Sequence, residues 1–258
     1  MDLGLKGKNV LVTGGSKGIG LACARAFISE GARVAIVSRS RENLEAAKRT
    51  LREAYTVAAD LTDAAAAAAM VERVEKEFGP LDILVNSAGA AKRTNAEDLT
   101  SAAWHAGMDA KYFSYIHVID PVVKRMAARR RGAIVNIIGN GGKIPASTHL
   151  PGGAANAALM LATAGLAHAY ARSGVRVVGL NPGLTETGRV AEGMKAEAKR
   201  QGISEEEALQ RATKSLPLGR MPRPEEVADI VLFAASERGV LLSGANVTVD
   251  AGHTPLVV

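Results

Sequence analysis

The amino-acid sequence predicts an α/β protein built on a doubly wound parallel sheet of about seven strands flanked by helices. Three observations carry this expectation. Short apolar, β-branched runs alternate with helical patterns along the whole chain. Several of these runs are apolar at consecutive positions, as strands are when helices cover both faces. The first run also passes directly into a glycine-rich turn and then into a helical pattern.

The strands are predicted at Asn9 to Thr13, Arg33 to Val37, Tyr55 to Asp60, Asp82 to Asn86, Ala133 to Ile138, Val175 to Asn181 and Ala245 to Val249. Between the first two, Ile19, Cys23, Ala26 and Phe27 recur at helical spacing and Glu30-Gly31 ends the pattern. Ala64 to Ala69 is low in complexity but reads as helix, because alanine is the best helix former. Ala102 to Met126 reads as one long helix which, with Trp104, serves packing and interface; Met194, Met221 and Phe233 read as core or lid filling. Gly188 to Leu216 alone leaves the strict alternation, and it is polar and rich in lysine and glutamate. A long insertion after a strand of an open α/β sheet lies over the ligand crevice, so residues 188–216 are either a substrate lid or a plain surface helical pair. With 258 residues and 47% hydrophobic content the chain can bury a full core, and no linker divides it, so it reads as a single domain.

Charged residues make up 22% of the chain, no run of about 20 apolar residues stands out and no basic-then-apolar leader opens it, so a soluble, cytoplasmic protein without a membrane partner is expected. Cys23 is the only cysteine, the five histidines are scattered, and no metal-ligand spacing occurs, so no metal site is expected. The formal charge of +6 is spread along the chain and aromatics are only 3%, which speaks against nucleic acid. The one dense cluster, Arg129-Arg130-Arg131, follows a helix, where cations suit the negative end of the dipole.

The turn after the first strand is Thr13-Gly14-Gly15-Ser16-Lys17-Gly18-Ile19-Gly20. Glycines there let backbone N–H groups approach a pyrophosphate at a helix N-terminus, where unpaired donors and the dipole favour negative charge. About 20 residues on, an acid would bind the ribose 2′-hydroxyl of NAD, whereas an arginine accommodates the 2′-phosphate of NADP. This chain has Ser38-Arg39 there, and Lys17 adds a cation at the same end, so NADP(H) is the expected cofactor on a Rossmann-type sheet.

These residues, with Asp60-Leu61, Asn86-Ser87-Ala88-Gly89, Asn181-Pro182-Gly183 and Val249-Asp250-Ala251-Gly252, resemble the short-chain dehydrogenase/reductase family over essentially the whole chain. The resemblance implies that Gly14, Ser16, Lys17, Gly18, Ile19 and Gly20 hold the phosphates, and that Asp60 and Leu61 border the adenine. It implies further that Asn86, Ala88 and Gly89 line the nicotinamide-side ribose, and that Pro182, Gly183, Leu184 and Thr187 hold the carboxamide end. Ser87 stands where a second asparagine is usual. The family's paired helices imply a homodimer or homotetramer, and Gly152-Gly153-Ala154-Ala155 would permit close helix approach.

The family's chemistry rests on an asparagine, a serine and a Tyr-x-x-x-Lys pair, in which a nearby cation brings the phenol into a useful range. The resemblance puts Gly139 at the serine position, Gly152 at the tyrosine, Asn156 at the lysine and Lys111 at the asparagine. No tyrosine lies between Tyr115 and Tyr170, and Gly174 follows Tyr170 at the lysine spacing, so no shift restores the pair. The lysine and asparagine types are exchanged between Lys111 and Asn156, which would keep an ammonium near the nicotinamide ribose if the two side chains approach each other. The candidates for the missing roles are His149, which titrates near neutrality; Tyr115, one helical turn from Lys111; and Asn140, as a donor in the serine's place.

Three functions fit these residues. The leading one is an NADP(H)-dependent oxidoreductase acting on a carbonyl or secondary alcohol through a non-standard site. The alternatives are a cofactor-retaining lyase or isomerase without net redox change, and a catalytically silent NADP(H)-binding protein.

Overall fold

A computed structural model describes residues 1–89 and 91–256. The seven strands are β1 (Asn9–Thr13), β2 (Arg33–Ser38), β3 (Tyr55–Ala58), β4 (Ile83–Asn86), β5 (Gly132–Ile137), β6 (Val175–Pro182) and β7 (Asn246–Val249), each within two residues of its expected ends. They form one parallel sheet in the order β3-β2-β1-β4-β5-β6-β7. The order reverses between β1 and β4, and in such sheets ligands bind at the carboxyl ends beside that reversal.

Alternate residues of each strand feed two separate cores. Val10, Val12, Val34, Ile36, Ile83 and Val85 face α1 (Gly18–Ser29), α2 (Arg41–Thr50) and α9 (Pro224–Ala235). Leu11, Ala35, Val37, Leu84 and Ile134 face α3 (Ala64–Phe78), α5 (Ser114–Ala128) and α6 (Leu150–Tyr170). The period-two alternation of strands thus serves both faces, which is why no polar face appears in the central runs.

At the carboxyl end of the second face the apolar pattern gives way to amides and hydroxyls. Thr13, Asn86 and Asn136 are in register on adjacent strands. Thr13 Oγ1 donates to Asn86 Oδ1 at 3.2 Å, Asn86 Nδ2 to Asn136 Oδ1 at 3.0 Å, and Asn136 Nδ2 to Thr163 Oγ1 on α6 at 3.0 Å. All four residues are fully buried, so each link satisfies a group that would otherwise be costly to enclose.

Three expectations need correction. The helix expected over Ala102 to Met126 is interrupted: α4 (Ser101–Met108) and α5 are joined by a π-helical turn, Asp109–Phe113. The wider turn fits one extra residue and carries Lys111 inward. The 21-residue α6 is long and apolar enough to cross a membrane by length and composition, contrary to the expectation that no segment is. Its Gly- and Ala-rich run packs Ala155, Leu159 and Ala167 inside the protein instead. Phe233, expected to fill the core or the lid, is 39% exposed on α9 and so is not a core residue. The basic cluster has a structural role, because Arg129 donates to Glu75 and to the Leu81 carbonyl and Arg131 pairs with Asp82.

The amide ladder predicts that Asn136→Ala, which strands the Asn86 amide and the Thr163 hydroxyl, lowers unfolding free energy by about 2 kcal/mol. Urea unfolding checks this, and an unchanged midpoint would show that the ladder does not hold the sheet centre together.

Candidate functional site

The site is built where the β1 and β4 loops meet. A Cβ on Gly14 would lie 2.7 Å from the Ser87 carbonyl oxygen and 2.8 Å from the Ala88 backbone, so only glycine admits this approach. Gly20 lies equally close beneath Gly14 at the start of α1. Thr13 Oγ1 also accepts from the Ser87 and Ala88 N–H groups, at 3.2 and 3.3 Å, and so fixes the β4 loop over the glycine turn. Ser16 is buried, Lys17 is exposed at the helix entry, and Ile19 packs partly into the core. Gly18 has φ +54°, and the Thr187 methyl faces it across the mouth of the turn.

One cleft joins Gly14, Ser38, Arg39, Asp60, Leu61, Ala88 and Gly89, with Val37, Ala110 and Ser114 beside them. Asp60 accepts from the Thr62 backbone N–H and hydroxyl, which hold its carboxyl below the ordinary range. A glycine floor, the N-terminus of α1 and a cleft closed by Asp60 and Arg39 suit an elongated anionic dinucleotide. Pro182 ends β6, and Gly183 and Leu184 follow it; a Cβ on Gly183 would crowd Asp250, so this loop lies tight against the last strand. The Asn86 side chain does not line the cleft. It is fully enclosed and spent on Thr13 and Asn136, so it positions the loop from behind.

At the other end of the crevice stands Lys111. Its Nζ donates to the Tyr115 hydroxyl at 2.9 Å and to the Ile137 carbonyl at 3.1 Å, and Tyr115 donates to the same carbonyl at 2.6 Å. The ammonium also lies 4.6 Å from the centroid of the Tyr115 ring. Burial first, and then the charge of Arg189, bring Lys111 down to about 7. Burial pushes the Tyr115 phenol up. Ser114 Oγ donates to the carbonyls of Ala110 and Lys111 and so helps satisfy the π-helical turn.

A second group gathers where the bend after β5 meets α6. Gly139 has φ +118° and ψ 149°, a conformation essentially restricted to glycine. A Cβ on Gly152 would overlap the His149 imidazole, so the ring occupies the space in which a side chain at residue 152 would begin. His149 Nδ1 is buried without a hydrogen-bond partner among the described residues. Burial, followed by the charges of Arg93, Arg189 and Lys111, lowers the imidazole to about 4. Asn156 is 4% exposed, its Nδ2 lies beneath Gly139 and Gly141, and its Oδ1 has no partner among the described residues. Gly153 lies tight against this bend: a Cβ on Gly153 would sit 2.7 Å from the Gly141 carbonyl oxygen.

Two expectations change here. No hydrogen bond joins Lys111 to Asn156 among the described residues, because Lys111 is held by Ile137 and Tyr115. Asn140 does not stand in for a serine, because its Nδ2 donates to Asp250 at 2.7 Å and to Thr254 at 3.3 Å. Arg93 was not anticipated; it sits in a loop without periodicity and reaches the site only through tertiary contacts. Asn136 did leave a trace, as a lone amide in the apolar run of β5.

Residues 190–201 and 205–214 form two helices, α7 (Val190–Gln201) and α8 (Glu205–Lys214). α7 meets the loop after β4: Lys199 pairs with Asp98 at 2.7 Å, and Glu192 accepts from the Arg93 backbone N–H at 3.4 Å. Arg189, just before α7, donates to the Gly89 carbonyl at 3.4 Å.

Comparison with known proteins agrees with this architecture. The family model for short chain dehydrogenases matches residues 8–198. D-threitol dehydrogenase of Mycolicibacterium smegmatis is 34% identical, over 98% of this chain and 95% of that protein. Galactitol 2-dehydrogenase of Rhizobium johnstonii is 37% identical, over 97% and 96%. L-sorbose reductase of Gluconobacter frateurii, solved with NADPH and L-sorbose, superposes with a TM-score of 0.91 at 31% identity over the whole of both chains. With one family model spanning most of its length and relatives aligned nearly end to end, the chain belongs to the short-chain dehydrogenase/reductase family.

Proposed function

We propose that this protein is an NADP(H)-dependent oxidoreductase acting on a carbonyl or secondary alcohol, in which His149 and Lys111 replace the family's serine, tyrosine and lysine. The observation that carries this reading is the His149 ring lying in the space left by Gly152, with a buried ammonium in the same site. A site that had merely decayed would leave a void at Gly152 and no reason to bury a lysine. Gly139 fits the same view, because its backbone holds a glycine-only conformation.

Lys17 and Arg39 would hold the 2′-phosphate end, and the N-terminus of α1 the pyrophosphate. The cofactor, when bound, supplies the hydride acceptor or donor. At about 4 the His149 imidazole is neutral near neutral pH, so its Nε2, which is not enclosed as Nδ1 is, can accept a substrate hydroxyl proton during alcohol oxidation and return it during reduction. Lys111, at about 7, gives the site a group that titrates in the working range. Tyr115 and the Ile137 carbonyl fix the ammonium in place. Helices α7 and α8 act as the substrate lid in this reading, and exposed Trp104, Phe113 and Leu161 on the α4–α6 side support pairing in a homodimer or homotetramer.

Absorbance change of the nicotinamide across a panel of carbonyls and alcohols tests the redox reading. Product without net cofactor change would favour a lyase or isomerase, and tight NADPH binding without any turnover a silent binder.

His149→Gln is expected to lower kcat about 100-fold or more while leaving NADPH affinity intact; an unchanged rate and pH profile would remove His149 from the chemistry. Arg39→Asp is expected to shift the ratio of NADP(H) to NAD(H) affinities toward NAD(H) by about 10- to 100-fold, read by fluorescence titration. Unchanged discrimination would contradict the assignment of this end.

Lys111 gives a prediction of opposite sign for stability and activity. Its folded value lies near 7, below the ordinary 10.5, so the folded state binds fewer protons between these values and its stability rises with pH across them. Lys111→Met therefore stabilises the ligand-free protein by about 1–4 kcal/mol below pH 7, and the gain shrinks toward pH 10.5. Turnover falls in the same variant. Denaturant unfolding against pH measures this, and a loss of stability at pH 6 would mean the lysine is kept for folding.

A further inference from the structure

Loops that carry no regular structure converge beside His149. The Thr94 N–H donates to the Thr148 carbonyl at 3.0 Å, which ties the segment after β4 to the segment before α6 and brings Arg93 alongside His149. Above it, α7 presents Gly193: a Cβ there would lie 3.2 Å from Arg93 Nε, so the missing side chain leaves room for the guanidinium to run beneath the helix. Arg189 enters from the start of α7 and donates to the Gly89 carbonyl, at the inner end of the cleft. Among the described residues, no carboxylate lies within salt-bridge distance of either guanidinium. Glu192 reaches only the Arg93 backbone.

Two guanidinium groups held near each other without a paired acid form an arrangement that an anion completes. We propose that Arg93 and Arg189 form a carboxylate-binding subsite beneath α7, so that the substrate is a hydroxy acid or oxo acid whose reacting carbon faces His149.

Burial, and after it the charge of Arg189, lowers Arg93 from its ordinary value, while Glu192 and Glu197 act in the other direction. These two acids, Glu197 while also paired with Arg200, offset part of the positive charge at Arg93, which suits a monoanion such as a carboxylate better than a doubly charged phosphate. The planar forks of arginine match a carboxylate in geometry as well. Arg39 lines the cleft beside Asp60, and Lys17 stands exposed at the entry to α1, so cations for the cofactor phosphates are present without the arginine pair. An anion between the arginines would also offset two of the charges that hold the His149 imidazole low.

This subsite deepens the oxidoreductase reading and rests on it, so the test separates the two. Lactate, 3-hydroxybutanoate and 4-hydroxypentanoate, each paired with its methyl ester, are assayed with NADP+ using the native protein, Arg93→Met and Arg189→Met. At least one acid is expected to exceed its ester in kcat/KM by about 100-fold, and each variant to lose about 10-fold or more of that preference through KM, with NADPH affinity unchanged. Equal use of acid and ester, or variants that weaken both alike, overturns the subsite. An Arg189→Met effect confined to NADPH affinity overturns it too, since that guanidinium would then serve the cofactor. If nothing turns over, the redox reading fails, and the subsite is judged by calorimetry on the NADPH complex. Binding of an acid but not its ester, lost in both variants, upholds it; no such binding overturns it.

Discussion

The centre of this protein is held by a ladder of side-chain hydrogen bonds in an otherwise apolar sheet. Thr13, Asn86 and Asn136 stand in register at the carboxyl ends of three neighbouring strands, and Thr163 closes the ladder from α6. Because each group is fully enclosed, none can move without leaving an unsatisfied partner. The ladder therefore fixes the loops above it. The β4 loop is bonded to Thr13 and pressed against Gly14, and α6 is drawn toward β5, so the dinucleotide end and the His149 end of the crevice share one rigid floor.

On that floor the substrate end is strongly cationic. Arg189 acts on Lys111, Tyr115, His149 and Arg93, and Arg93 and Lys111 act on His149 in turn. Such an arrangement works against stability, since a buried ammonium bonded only to a hydroxyl and a carbonyl is not compensated by a counter-charge. Groups placed at the expense of folding are commonly groups that function requires. The bend after β5 adds a constraint of geometry. Gly139 adopts a backbone that a side chain would strain, and a side chain at residue 152 would displace His149.

How far the sequence reveals this depends on the range of the forces involved. Strands are legible because their patterning is local and must serve two cores, and their ends differ from expectation by no more than two residues. The glycine turn is legible because backbone approach at Gly14 and Gly20 admits nothing larger. The π-helical turn at Asp109–Phe113 is not, because its sequence is unremarkable and the extra residue is accommodated by contacts with Gly89 and Ser114. Asn86 reads as a cleft residue from its motif, but its partner Asn136 lies 50 positions away and turns it inward. The apolar length of α6 is easily missed because glycine and alanine dilute it. His149 could be named from its titration range, but only packing shows that its ring fills the place beside Gly152. Arg93 and Arg189 are about a hundred residues apart, and no local pattern relates them.

The central claim is that this site transfers hydride between NADP(H) and a small carbonyl or alcohol despite its altered residues. The most direct measurement is label transfer: the protein is incubated with NADPH carrying deuterium at the reactive carbon and with a set of oxo acids and neutral ketones, and the products are weighed by mass spectrometry. The account predicts an alcohol product that gains one deuterium, formed from an oxo acid in preference to a neutral ketone. NADPH that binds but passes no deuterium to any product, or product that forms without the label, would contradict it.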